Sequence, residues 1–429
     1  MTRRFILLAS LLLLTALSGV TSNASTQTDL KVFLPVVTHV PETMVEFRGL
    51  WVSRFDWTNG QDPADPAKID EIVANAALAG FNAIFFQVRG TADAFYTPGL
   101  EPWSSRVSGV ALGQPPDPLW DPLATFMQKA HARGIQLHAY LNVYPVWGDC
   151  NHPPDVAATP KHLYYLLQER HGSTGAKANG LQWIDSNTVY CSAYQLATPA
   201  SLFADDHLIA VATDLVSRYD IDGIHLDHIR YGGENTSCDP VSEARYGADC
   251  FSDPGYAGWQ RAQVNGTVRR FYQEVAPLKT NLWLSAAVWP IYVERPEWGW
   301  GGWATEGYHT YYQDSKAWLA AGIIDSISPM IYPAGYNCPD DSFWSQDKWQ
   351  TLAADFQADR AGRFVIPGIG AGYCTFAEIE ARIALARQIG TAGHAIFSYA
   401  GLLHNGYFDD LAQGPYAAPA VPPAITWHP

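Results

Sequence analysis

The chain has 429 residues, of which 42 are Asp or Glu and 27 are Lys or Arg, a formal charge of −15. That balance excludes a groove that tracks nucleic-acid phosphates, which needs clustered cations. Charged residues make up only 16 % of the chain beside 16 Trp and 22 Tyr, so polar recognition is expected from amphipathic aromatic surfaces of the kind that stack on sugar rings.

In chain order, residues 1–24 open with Arg3 and Arg4, run apolar from Phe5 to Leu17 and reach small residues at Ser22 and Ala24. This reads as a signal peptide cut near Ala24. Its apolar run is shorter than the ~20 residues a bilayer span needs, so the mature chain is expected outside the cytoplasm with no stable membrane insertion. Residues 25–45 read as a linker or extended lead-in. The span 46–413 alternates short apolar runs with amphipathic helical patterns, the βα signature of a parallel sheet. Strands are expected at 47–53, 83–89, 136–142, 223–227, 282–289, 326–332, 364–368 and 394–399. Between them, Ile69, Ile72, Val73, Ala76 and Ala77 keep helical spacing, as do Leu208, Val211, Ala212, Leu215 and Val216. Glycines at 80, 134, 322 and 390 or 393 stop helices just before the next strand. The Pro- and Ala-rich tail 414–429 reads as an ordered wrap or a frayed end.

Parallel strands with a helix after each close most economically as a (β/α)₈ TIM barrel, because closure leaves no edge strand. A doubly wound open sheet is the alternative. The connections after strands three, four, five and six are long, which marks the carboxyl-terminal face as the working one. All six cysteines fall in such loops. An even count in an exported chain suggests disulfides, and the sequence alone does not choose among the pairings; pairing within or between adjacent loops would join Cys150 with Cys191, Cys238 with Cys250, and Cys338 with Cys374, stapling three loops around a cleft.

Alternate strand residues face the barrel axis. In 223–227 the apolar Ile224 and Leu226 face outward, which leaves His225 and Asp227 inward with Asp227 at the strand end. The same division points Gln87 and Arg89, and His138, Tyr140 and Asn142, inward. Barrel interiors normally use Val, Ile and Leu, and a buried polar group costs free energy unless it is paired. The cluster is therefore a candidate site, with His228, Arg230 and Tyr231 following it into the loop; a polar network that merely holds loops is the plainer reading for Arg89, His138 and His225. Trp51, Trp289 and Tyr332 end strands, while Trp300 and Trp303 sit among glycines in an upper loop and are expected to meet sugar.

The strings FRGLWV from Phe47, FFQVRGTADAFY from Phe85, EPWS from Glu101, HARGIQLHAYLN from His131 and DIDGIHLDHIRY from Asp220 together resemble the glycosyl-hydrolase-like family 10 proteins. The resemblance implies a catalytic barrel acting on bacterial cell-wall or exopolysaccharide glycans, with Asp227 as catalytic acid. The family pattern often carries a second acidic residue directly after this Asp, where this chain has His228. Glycosidic cleavage normally uses two carboxylates, about 5 to 9.5 Å apart, and Asp93, Glu101, Glu294, Glu297 and Glu306 all lie in upper loops. Glu294, after strand five, is the expected partner.

These residues describe a secreted glycoside hydrolase with a polysaccharide or oligosaccharide partner, no cofactor and no metal. A metal-dependent deacetylase holding its ion on His138, His225 and Asp227 and a non-catalytic glycan-binding barrel are the rival readings.

Overall fold

The computed structural model describes residues 43–428 except 248, 249, 303, 334, 336, 337 and 339–343; the leader segment lies outside these residues. Eight parallel strands form the barrel: β1 (Phe47–Val52), β2 (Ala83–Arg89), β3 (Gln136–Asn142), β4 (Gly223–Asp227), β5 (Trp283–Val288), β6 (Ser326–Pro329), β7 in two segments (Phe364–Val365 and Gly368–Gly370) and β8 (Gly393–Phe397). Each pairs with its neighbour in sequence, and β8 pairs with β1. Closure runs through the divided β7, whose first segment pairs with β6 and second with β8. Across the break, Ile366 N donates to Ile327 O at 2.9 Å and Pro367 O accepts from Ala395 N at 3.1 Å. Proline has no N–H to give a ladder, which interrupts the strand expected as continuous over 364–368. The closed order removes the doubly wound alternative. Strand β6 also ends three residues early, because Ile331 N bonds back to Pro329 O and Tyr332 N to Met330 O, curling the chain over the barrel mouth.

Helices α1 (Pro66–Ala79), α2 (Pro122–His131), α3 (Leu202–Arg218), α4 (Tyr256–Arg270), α5 (Ser315–Ala320), α6 (Gln346–Ala358) and α7 (Phe376–Ile389) separate successive strands. Helix α1 shows the local logic. Asp65 caps it by accepting from Ala67 N at 2.8 Å, Pro66 presets its first turn, and Gly80 ends it at φ 88°, a left-handed conformation that costs glycine little.

Two apolar clusters follow from the period-two pattern. Outward residues such as Leu50, Ile84, Phe86, Leu141, Ile224, Leu226 and Val288 pack against the helices. Inward residues Phe47, Trp51, Phe85, Tyr140 and Trp283 fill the barrel, so this interior is aromatic where Val, Ile and Leu are usual. The last residues cover its amino-terminal end: Ala420–Val421 pairs in parallel with Met44–Val45, Trp427 packs on Phe364 at 4.8 Å and donates to Asp325 Oδ1 at 2.7 Å, and Tyr416 lies against Arg48 and His394. Cys150–Cys191, Cys238–Cys250 and Cys338–Cys374 are all bonded, the pairing expected from loop adjacency. Among the described residues no helix is long and apolar enough to cross a membrane.

Candidate active site

The carboxyl ends of the strands open into a cleft. Asp227 lies in its floor, 8 % exposed. Its Oδ2 accepts the Tyr140 hydroxyl at 2.7 Å, its Oδ1 accepts the His228 amide at 2.6 Å, and Arg230 Nη1 stands 3.5 Å away. His228 itself takes φ 48°, a left-handed turn that costs a side-chain-bearing residue about 1 kcal/mol and is tolerated where neighbours over-determine it. Burial alone pushes the Asp227 carboxyl up, but the His228 and Arg230 charges, the Tyr140 hydroxyl and the His228 amide together hold it down at about 2. Burial also depresses His228, to about 4, so at neutral pH that ring is uncharged and Arg230 supplies the attraction. Arg230 Nη2 lies 3.3 Å from His228 Nδ1. An arginine can only donate, so Nδ1 accepts and the imidazole proton sits on Nε2. Asp227 is thus an anion at neutral pH, which fits a nucleophilic or charge-stabilising carboxylate and disfavours the proton-donor role that the resemblance implied.

Around it the cleft gathers Arg54, Gln87, Asn142, Tyr194, Trp289, Tyr332 and Phe397 from the ends of six other strands and from the loop after β3. Tyr332 stacks on Phe397 at 4.9 Å, Trp289 on Tyr311 at 4.1 Å, and the Arg230 guanidinium lies 5.5 Å from the Trp289 ring. The Gln87 and Asn142 amides each keep one buried polar atom, Nε2 and Oδ1, without a protein partner. Beyond His228 and Arg230 the cleft continues past Tyr190, Tyr194, Trp289 and Tyr311. The Cys150–Cys191 bridge holds the loop that supplies its tyrosine wall.

The structure therefore brings Tyr140, Asn142, Asp227, His228, Arg230, Trp289 and Tyr332 together and sets the other expected site residues elsewhere. His138 points inward but lies four residues below the end of β3, fully buried between Phe47, Phe85 and Trp283; a Cβ at Gly223 would stand 2.3 Å from its Nδ1, so the ring occupies space that only glycine leaves. His225 is locked one layer beneath the cleft. Trp51 Nε1 donates to its Nε2 at 3.2 Å, so its Nδ1–H donates to Ser285 Oγ at 2.8 Å. With both nitrogens engaged, His225 cannot join His138 and Asp227 around a metal, and Trp51, 2 % exposed, is floor support. Arg89 is turned out of the axis by a register shift after Gln87. It pairs with Glu101 and donates to the Asn142 and Val143 carbonyls, tying two loops together. Asp93 accepts from Thr91 N at 2.6 Å, away from the cleft lining. Tyr231 is absent from the main cleft; it is fully buried against Tyr312 and lines the extension past Tyr190 and Tyr194. Trp300 packs on Trp298 at 4.8 Å and under Lys348, and Trp303 lies outside the described residues.

Glu294 does not reach the cleft, because its Oε1 accepts from Gly302 N at 2.8 Å within its own loop. Glu306 accepts from Glu294 N, Glu297 is solvent-exposed in the same loop, and Glu101 is held at about 2, where burial is outweighed by Arg89 and His207. Among the described residues Asp227 is the one carboxylate lining the cleft, and none of their His, Cys, Asp and Glu side chains form a group of three placed to hold a metal ion. Sequence reasoning missed Arg54, Tyr194 and Phe397. Arg54 lies two residues past the end of β1 and carries a readable signal, whereas Tyr194 reaches the cleft only through the folding of its long loop.

Residues 46–354 match the family model described as Glycosyl hydrolase-like 10. The Bacillus subtilis protein named glycosyl hydrolase YngK is 25 % identical over 417 residues, 89 % of this chain and 74 % of that protein. The Escherichia coli protein named glycosyl hydrolase DigH is 26 % identical over 306 residues, 66 % of this chain and 65 % of its own length. In fold alone, the PgaB (BpsB) glycoside hydrolase domain from Bordetella bronchiseptica is similar with a TM-score of 0.59 at 12 % identity, covering 85 % of this chain and 98 % of that one.

Proposed function

This chain belongs to the glycosyl hydrolase-like 10 family, and from that premise we propose that it is a secreted glycoside hydrolase that cleaves glycosidic bonds in a cell-wall or exopolysaccharide glycan. The observation that carries the reading is the ionised Asp227 in the floor of a cleft walled by Tyr194, Trp289, Tyr332 and Phe397. As a glycosidic bond breaks, positive charge builds on the ring oxygen and anomeric carbon. A preorganised anion stabilises that charge more strongly in a dry cleft than water would. The aromatic walls suit the apolar faces of pyranose rings, and three disulfides suit an oxidising compartment.

Asp227→Asn tests the assignment. Asparagine can keep its oxygen toward the His228 amide and turn its NH₂ to the Tyr140 oxygen, so folding and glycan affinity are expected to survive. Reducing-end release should fall by about 10² to 10⁴. Near-normal turnover in the folded variant refutes the role. A binding-only barrel is the second reading, favoured by the lone carboxylate in the described cleft; retention of glycan by the wild type with no release of reducing ends would select it.

A further inference from the structure

Four arginines are deeply buried among the described residues: Arg48, Arg54, Arg89 and Arg382. Three have a carboxylate partner, with Arg48 on Glu46, Arg89 on Glu101 and Arg382 on Glu378. Arg54, 7 % exposed, has none within 4.0 Å among the described residues. Its backbone amide bonds Gln87 Oε1 at 3.0 Å and its Nη2 donates to the Tyr194 hydroxyl at 2.9 Å. No acceptor among the described residues takes its Nε or Nη1, and the residue lines the cleft that holds Asp227.

Its surroundings hold further cations, and the carboxylates near it make their direct contacts elsewhere. The Arg106 guanidinium shares the Phe55 ring with Arg54, at 4.7 Å and 4.3 Å from its centroid, and Arg230 adds a further cation to the cleft. Of the two nearby carboxylates, Asp93 is turned to the Thr91 amide and Asp227 is taken by Tyr140, His228 and Arg230. Burying a guanidinium costs free energy that a protein recovers only through a counter-charge. A chain of net charge −15 has many acidic side chains, yet none of the described ones is paired with Arg54. Arginine's planar fork matches a carboxylate with two parallel hydrogen bonds.

We propose that Arg54 binds a carboxylate carried by the glycan, in the part of the cleft between Tyr194 and Phe55, and so selects acidic over neutral sugars. This rests on the glycan-hydrolase reading and adds to it the chemical class of the sugar. Asp227 serves the bond that breaks, while Arg54 fixes which residue lies across it.

The test uses the mature protein and a panel of oligosaccharides bearing N-acetylmuramic or hexuronic acid, each beside its carboxyl-reduced counterpart. The wild type should bind or cleave an acidic member roughly 10- to 100-fold better than its reduced partner, with the ratio falling as salt rises. In Arg54→Met that ratio should collapse toward one, and Arg54→Lys, which keeps the charge but loses the fork, should lie between. Arg54→Met should also melt no lower than the wild type, because it removes an uncompensated buried cation. An equal or greater preference for the reduced glycans in the wild type overturns the proposal. So does an acidic preference that survives in Arg54→Met, or unfolding of that variant while Arg54→Lys stays folded, which would place the charge in the scaffold. If no member of either kind is bound or cleaved, the glycan-hydrolase reading itself falls and the anchor falls with it.

Discussion

Replacing Tyr140 with Phe removes one oxygen and nothing else from the contact that holds Asp227 at 2.7 Å. A hydrogen bond to a charged acceptor contributes about 1.5 to 3 kcal/mol, which at 1.36 kcal/mol per pKa unit is roughly one to two units. The Asp227 carboxyl should therefore rise from about 2 to roughly 3 or 4. A carboxylate whose folded pKa is depressed stabilises the fold above its unfolded pKa and loses that contribution as pH falls through the folded value. In the wild type this contribution is about 2 kcal/mol, present above about pH 4 and gone below about pH 2. Tyr140→Phe should thus be less stable at neutral pH by about 1.5 to 3 kcal/mol, a melting temperature lower by about 2 to 4 °C for a domain of this size. The two proteins should converge in acid. The assay is a ¹³C titration of the aspartate carboxyl resonances in both proteins, with Asp227→Asn to assign the signal, beside thermal melts at neutral and acidic pH. A wild-type Asp227 titrating near the ordinary carboxylate value, or at the same pH in both proteins, would show that this hydroxyl does not hold the charge.

Two further perturbations separate scaffold from cleft. Glu101→Gln leaves the Arg89 guanidinium buried without its counter-charge, so stability measured by denaturant should fall by about 3 to 5 kcal/mol; because Glu101 is held at about 2, the deficit should be full at neutral pH and fade as pH falls toward 2, and a loss of less than about 1 kcal/mol would show that the pair is not load-sharing. Trp289→Ala opens the cleft wall beside Arg230 and Tyr311, so glycan affinity should drop about tenfold, close to 1.4 kcal/mol, with the melting temperature nearly unmoved; a large melting shift at unchanged affinity would return Trp289 to packing.

Much of the fold is legible in the strands themselves. Ile224, His225, Leu226 and Asp227 alternate between helix-facing and axis-facing positions, and that alternation is a local property of a pleated chain. Direction, however, is not depth. His138, His225 and Asp227 all face the axis, yet one lies deep among aromatic rings, one a layer below the cleft and one at its floor, because the β3–β4 register sets His138 beside Gly223, below His225, which in turn lies below Asp227 on its own strand. Arg89 shows the reverse case, in which a register shift beside Gln87 defeats the period-two count.

The residue types and their order thus determine eight strands, the helices between them and the working face, since these follow from periodicity, turn chemistry and adjacency along the chain. Only the tertiary structure decides which carboxylates share the cleft. Glu294 is a loop residue in the expected place, but its loop folds onto Gly302 and takes the side chain with it. Arg54 is one cation among 27 basic residues in the sequence; what distinguishes it is that it is buried with no described carboxylate within 4.0 Å, and distance between residues remote in sequence is fixed by packing, which no local pattern encodes.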